Sequence, residues 1–210
     1  MNKLGDLSCN EFLTELASAA PAPGGGGGAA MAGALAAALA SMVANLTIGK
    51  EKFADREPEV KELLEQAEAE RVRLLTLVDE DAAVFNSFMS CYKLPKTTDE
   101  EKAARTAAIR AAAKQAATVP LNIARSSFAV LKLAERLVVA GNPGVITDGA
   151  CSGLLARAAL RCAEYNVRIN LGLTKDEVWN AQAAADLKKL LADAEALETR
   201  LLAVTDKALQ

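Results

Sequence analysis

The chain has 210 residues, 51% of them apolar but only 4% aromatic, with a formal charge of −3 and no histidine. Acids and bases are interspersed along it, which excludes the basic patch that nucleic-acid binding requires, and alanine dominates the apolar set, which favours close-packed helices over sheets. Without histidine it lacks the commonest metal ligand and general base, so any chemistry falls to carboxylates, lysine, tyrosine, cysteine, amides or backbone N–H groups.

In chain order, Ser8 followed by Glu11 forms a capping-box signature for a short helix reaching about Ala20, where Pro21 and Pro23 end it. "PAPGGGGG", Pro21 to Gly28, then runs into "AAMAGALAAALASMVANLTIGK". No charged residue stands between Glu15 and Lys50, so a membrane span is one reading of this stretch. The prolines and glycines interrupt it, and alanine gains little by transfer into lipid. A central helix, buried by its neighbours and by a second subunit, is the expectation.

The glycines do not form a P-loop, because no GK[ST] follows them. Gly24, Gly26 and Ala29 satisfy the loose GxGxxA pattern, but a helix precedes them where a dinucleotide fold needs a strand. Two readings remain. One is a loop whose N–H groups open a helix towards an anion or a polar ring edge; the other is a flexible connection with close packing at Gly33.

From about Pro58 to Cys91, leucine and valine recur at helical spacing, and Pro95 closes the element. Thr98 with Glu101 opens another helix reaching about Ala140, with a kink or break expected at Pro120. "GNPG", Gly141 to Gly144, is a loop; a helix follows from about Thr147 to Leu171, and Thr174 is expected to cap a last one. No segment alternates with period two. The expected fold is all-α, one domain over residues 1–210, with six or seven long helices around the alanine-rich one. Cys9, Cys91, Cys151 and Cys162 form no CxxC pair and no secretory signal is visible, so they read as reduced, mostly packed thiols of a cytoplasmic protein.

Polar residues on apolar stripes are informative, because an unpaired buried polar group costs about 1–3 kcal/mol. Asp81 falls within the stripe of Leu74, Leu77, Val78, Phe85 and Phe88, whereas Asp79, two residues away, lies on the other side. Asp81 is either a structural cap or pair, or a carboxylate held in a partly dry site with a disturbed pKa. Asp148 shares a face with Cys151, Leu155, Ala159 and Cys162 that continues to Asn166 and Asn170. At a helix start it is either a cap or a functional acid, and the two asparagines are either ligand contacts or structural amides crossing to Asn45. Lys50, where "NLTIGK" closes the uncharged helix, is either a partner of the helix dipole or a tuned acid or base.

Taken together, "APAPGGGGGAAMAGALAAALASMVANLTIGK", "DEDAAVF", "YKLPKTTDEEKAAR", "ATVPLNIAR" and "GNPGVITD" through "NVRINL" resemble the cyclodeaminase/cyclohydrolase family of tetrahydrofolate enzymes. The likeness keeps the motif order over nearly the whole chain, and "LPKTTDEEKAAR" looks most like the stand-alone cyclohydrolase branch. It implies an all-helical homodimer with the alanine-rich helix central and a folate cleft near the glycine loop. The implied activity is hydrolysis of 5,10-methenyltetrahydrofolate to the 10-formyl compound, with the ammonia-releasing cyclodeaminase as the alternative. A non-catalytic folate-binding or assembly module is the reading from another class. The implied catalytic residues are Lys50, Asp81 and Asp148, and the implied substrate contacts are Pro23, Gly24, Gly25, Gly26, Gly27, Asn45, Asn166 and Asn170. No metal or prosthetic group is expected, the folate being the substrate, and neither nucleic acid nor membrane is an expected partner.

Overall fold

The structure, a computed structural model, describes residues 3–210 and contains six α-helices and no strand among them. They are α1 (Cys9–Leu16), α2 (Gly25–Asn45), α3 (Glu57–Cys91), α4 (Asp99–Ala140), α5 (Ile146–Thr174) and α6 (Glu177–Ala208), with single 3-10 turns at Leu4–Asp6, Glu51–Phe53 and Pro143–Val145. Short connections make α3 to α6 run up and down. This is the all-α bundle expected.

The caps follow the sequence with one exception. Both reciprocal capping boxes form: Ser8 with Glu11 at α1 and Thr98 with Glu101 at α4. Thr174, expected to cap the last helix, instead ends α5; Lys175 takes a left-handed φ of 55° and Asp176 accepts the N–H of Trp179 as the cap of α6. An aspartate three residues before the donating N–H makes a better cap than a threonine already inside the preceding helix.

Alanine and glycine let α2 lie at the centre. Its pairings fix its direction: Gly26 meets Asp81, Gly33 meets Leu74 and Ser127, and the Ser41 hydroxyl donates to Glu68 Oε1 at 2.6 Å. It therefore runs antiparallel to α3. Facing α5, Gly25 neighbours Asn166 and Ala36 O accepts the buried Ser152 hydroxyl at 2.7 Å, so α2 is antiparallel to α5 as well. A Cβ on Gly33 would stand 3.0 Å from both Leu74 Cδ2 and Ser127 Oγ, so three helices converge there because no side chain intervenes. The expected close packing at Gly33 is present.

Two further readings needed revision. Helix α4 passes through Pro120 without breaking. The cysteines are free, but Cys9, Cys151 and Cys162 are exposed and Cys91 is half-buried, so they are not packed thiols. Cys151 and Cys162 lie on the outward face of α5, beyond the reach of the core.

Candidate active site

A cleft opens at the end of the bundle where α2 begins and where α3 and α5 near their C-termini. The glycine-rich start of α2 (N-cap Gly24 with Gly25 and Gly26 of its first turn) forms one wall, Asp81, Val84, Phe85 and Phe88 of α3 a second, and Ala116 and Pro120 of α4 with Asn166 and Asn170 of α5 the rest. The loop, the carboxylate and the amide pair, widely separated in sequence, are thus brought together.

The loop is shaped to let backbone meet carboxylate. Gly24 occupies the N-cap of α2 without a side-chain cap, so the first N–H groups of the helix have no partner of their own. Asp81 fills that role from α3. A Cβ on Gly26 would stand 2.5 Å from Asp81 Oδ2 and 2.6 Å from its Cγ, so only glycine admits the carboxylate here. Burial holds the Asp81 carboxyl above the ordinary carboxylate range, and the Gly27 backbone N–H opposes that shift in part. A carboxyl so placed takes and returns a proton nearer neutrality than an exposed aspartate does. Asp79, by contrast, accepts the Leu4 N–H at 2.6 Å on the far side of α3 and anchors the N-terminal segment.

The asparagines face the same space. Asn166 Nδ2 donates to Cys162 O at 2.9 Å, and Asn170 Nδ2 donates to Asn166 O and Ala116 O, each at 2.8 Å. They do not cross to Asn45. Pro23 is buried behind the loop, its Cβ 3.1 Å from where a Gly27 Cβ would lie, and so supports the wall rather than lining it.

Lys50, Asn45 and Asp148 stand elsewhere. Twenty residues of α2 rise roughly 30 Å between its ends, so Asn45 and Lys50 lie far from Gly25 in the same chain. At that opposite end Asn142 ties the α4–α5 connection to α2, its N–H donating to Thr47 Oγ1 at 2.8 Å and its Nδ2 to Leu46 O at 3.1 Å. Asp148, in the first turn of α5, belongs to this end too. The resemblance implies that Lys50 joins the catalytic set, but within one chain α2 carries it away from the cleft. Phe85, Phe88, Ala116 and Pro120 were legible only as core or kink residues, since nothing in their spacing separates a cleft wall from an interior.

Among the described residues no group of three Cys, Asp or Glu is assembled that would hold a metal ion. The amide pair, the loop N–H groups and Asp81 instead form a small polar site walled by phenylalanine, fit to bind a planar polar heterocycle and exchange a proton with it.

Comparison with known proteins gives the chain a family. The family model described as formiminotransferase-cyclodeaminase matches residues 8–189. The chain belongs to this family. Among formiminotransferase-cyclodeaminase relatives, the methenyltetrahydrofolate cyclohydrolase of Methylorubrum extorquens is 45% identical over 197 residues, 94% of this chain and 95% of that protein. The formimidoyltransferase-cyclodeaminase of Sus scrofa is 33% identical over 88% of this chain, which spans 34% of that longer protein. A crystal structure of formiminotetrahydrofolate cyclodeaminase from Thermotoga maritima superposes with a TM-score of 0.88 at 30% identity, covering 98% of each chain.

Proposed function

We propose that this chain, read as one domain over residues 1–210, is a methenyltetrahydrofolate cyclohydrolase acting on 5,10-methenyltetrahydrofolate in the cytoplasm. The end-to-end likeness to the Methylorubrum extorquens cyclohydrolase carries this reading. The site supports it chemically. The substrate's bridging carbon lies in a cationic amidinium and is electrophilic without further polarisation. Water attacks that carbon and gives its proton to Asp81, whose negative charge also favours binding of the cation. The C–N5 bond then breaks as N5 gains a proton, the oxygen stays on the carbon as the N10-formyl group, and one proton is released overall. Gly24, Gly25, Gly26, Asn166 and Asn170 bind the ring, with Pro23 supporting the wall from behind.

The same reading makes the active unit a homodimer. Leu35 and Met42 on α2, Leu46 just beyond its end, and Leu154, Tyr165 and Ile169 on α5 are exposed apolar side chains, with Ile169 72% accessible. The cleft is also only ≈160 Å³, below the roughly 300–1,000 Å³ of ordinary ligand sites. A second copy docked antiparallel on these side chains would cover them and bring its own Asn45, Lys50 and Asp148 to the open side of the cleft. Lys50 then stabilises the developing oxygen charge or delivers the proton to N5, and Asp148 orients it. Mixing inactive Lys50→Met and Asp81→Asn chains after reversible dissociation tests this: a site shared between copies regains about a quarter of wild-type activity, because half the dimers are mixed and each has one intact site. No recovery would place Lys50 outside the site.

The reaction itself is tested by following loss of 5,10-methenyltetrahydrofolate above its spontaneous rate, in parallel with ammonia release from 5-formiminotetrahydrofolate. Hydrolysis without ammonia supports the proposal. Ammonia release alone would favour the cyclodeaminase, the reading supported by the Thermotoga maritima structure, and ligand binding without either activity would favour a carrier.

A further inference from the structure

Pro120 interrupts the hydrogen bonding of α4 at the wall of the cleft. Having no N–H, it leaves the carbonyl of Ala116, four residues earlier, without its helical partner. A carbonyl buried in that state needs another donor. Here the donor is Asn170 Nδ2, at 2.8 Å, from the neighbouring helix α5. The second amide hydrogen goes to Asn166 O, also at 2.8 Å. Both groups facing the amide nitrogen are carbonyl oxygens, which can only accept, so the orientation of the Asn170 carboxamide is fixed by chemistry and cannot be reversed. Its Oδ1 accepts no hydrogen bond from the protein among the described residues, and Asn170, Ala116 and Pro120 all line the cleft.

We propose that Pro120 is a positioning residue for ligand recognition: by withholding an N–H from Ala116 it clamps the Asn170 carboxamide with its oxygen presented to an N–H donor of the bound heterocycle. The inference rests on the folate reading and names the polarity of one subsite within it. The reduced pterin carries several N–H donors on its rim, whereas a ring edge of acceptors alone would leave Asn170 Oδ1 unpaired and be rejected. Pro120 touches the reacting atoms nowhere; it acts through Ala116 O and Asn170.

The experiment is a double-mutant cycle with Pro120→Ala, Asn170→Ala and the combination, measured on the intact chain with 5,10-methenyltetrahydrofolate. Pro120→Ala restores the N–H that Ala116 O lacks, freeing the Asn170 amide. Its KM should rise about tenfold, the scale of one neutral hydrogen bond, with kcat changed much less. In the Asn170→Ala background the same change should have no further effect. A second readout needs no substrate: the Asn170 side-chain NH2 resonances should be protected from solvent exchange in the wild type and lose protection in Pro120→Ala. An equal rise in KM in both backgrounds, or unchanged amide protection in Pro120→Ala, would overturn the proposal. If the wild type failed to bind or turn over the folate while the amide protection still depended on Pro120, the functional reading would fall and the clamp would stand.

Discussion

Replacing Gly26 with alanine tests the central feature of the site with a single methyl group. The new Cβ would lie 2.5 Å from Asp81 Oδ2, 2.6 Å from Cγ and nearer still to Oδ1. An ordinary carbon–oxygen contact is well over 3 Å, so one side must retreat by about 1 Å. Helix α2 has little room, because a Cβ at the adjacent Gly27 would already stand 3.1 Å from Pro23 Cβ and 3.9 Å from Val78 Cγ1. The carboxylate therefore yields. A displacement of about 1 Å at a reacting group costs on the order of a hundredfold in rate, or about 2.7 kcal/mol of transition-state stabilisation. The fold should feel far less, since the overlap is relieved by one side-chain rotation and alanine is a better helix former than glycine by about 0.5–1 kcal/mol. Steady-state kinetics beside thermal melting reads both. Gly28→Ala is the control: its Cβ would meet only Leu16 Cδ2 at 3.9 Å, so it should keep activity and stability. Wild-type kcat/KM in Gly26→Ala, with the melting temperature unchanged, would refute the assignment of Asp81 to the chemistry.

Asp81→Asn should lower kcat by about a hundredfold or more while leaving the helical signature intact, checked by kinetics and circular dichroism. Because burial raises the Asp81 pKa in the folded chain, its contribution to stability is full below the unfolded value and is lost as pH rises through the folded one. Asp81→Asn should therefore melt higher than wild type near neutral pH, and the advantage should vanish on acidification; a gap that widens at low pH would contradict the buried-carboxylate reading. In the wild type, the rising limb of kcat/KM should fall above the ordinary carboxylate range and be absent from Asp81→Asn. At the N-terminus of α4, Thr98→Ala removes a formed capping box and should cost about 1 kcal/mol in denaturant unfolding with no change in KM.

Much of the fold was legible because it is local. Capping boxes at Ser8 and Thr98, the loop at Gly141 to Gly144 and the apolar spacing of α3 are decided within a few residues of chain, and the structure keeps them. The stripe containing Asp81 belongs to the same class: helical geometry alone turns Asp81 inward and Asp79 away. The exceptions depend on neighbours. A kink or break is expected at Pro120 because its missing N–H is a local fact, whereas the amide that compensates comes from Asn170, fifty residues on. Which end of α2 faces the cleft is likewise invisible in sequence, since Gly25 and Lys50 flank one helix and only its packing against α3 and α5 sets them at opposite ends. Periodicity assigns a residue to a face; the packing of separate helices, through contacts far apart in the chain, decides what that face meets.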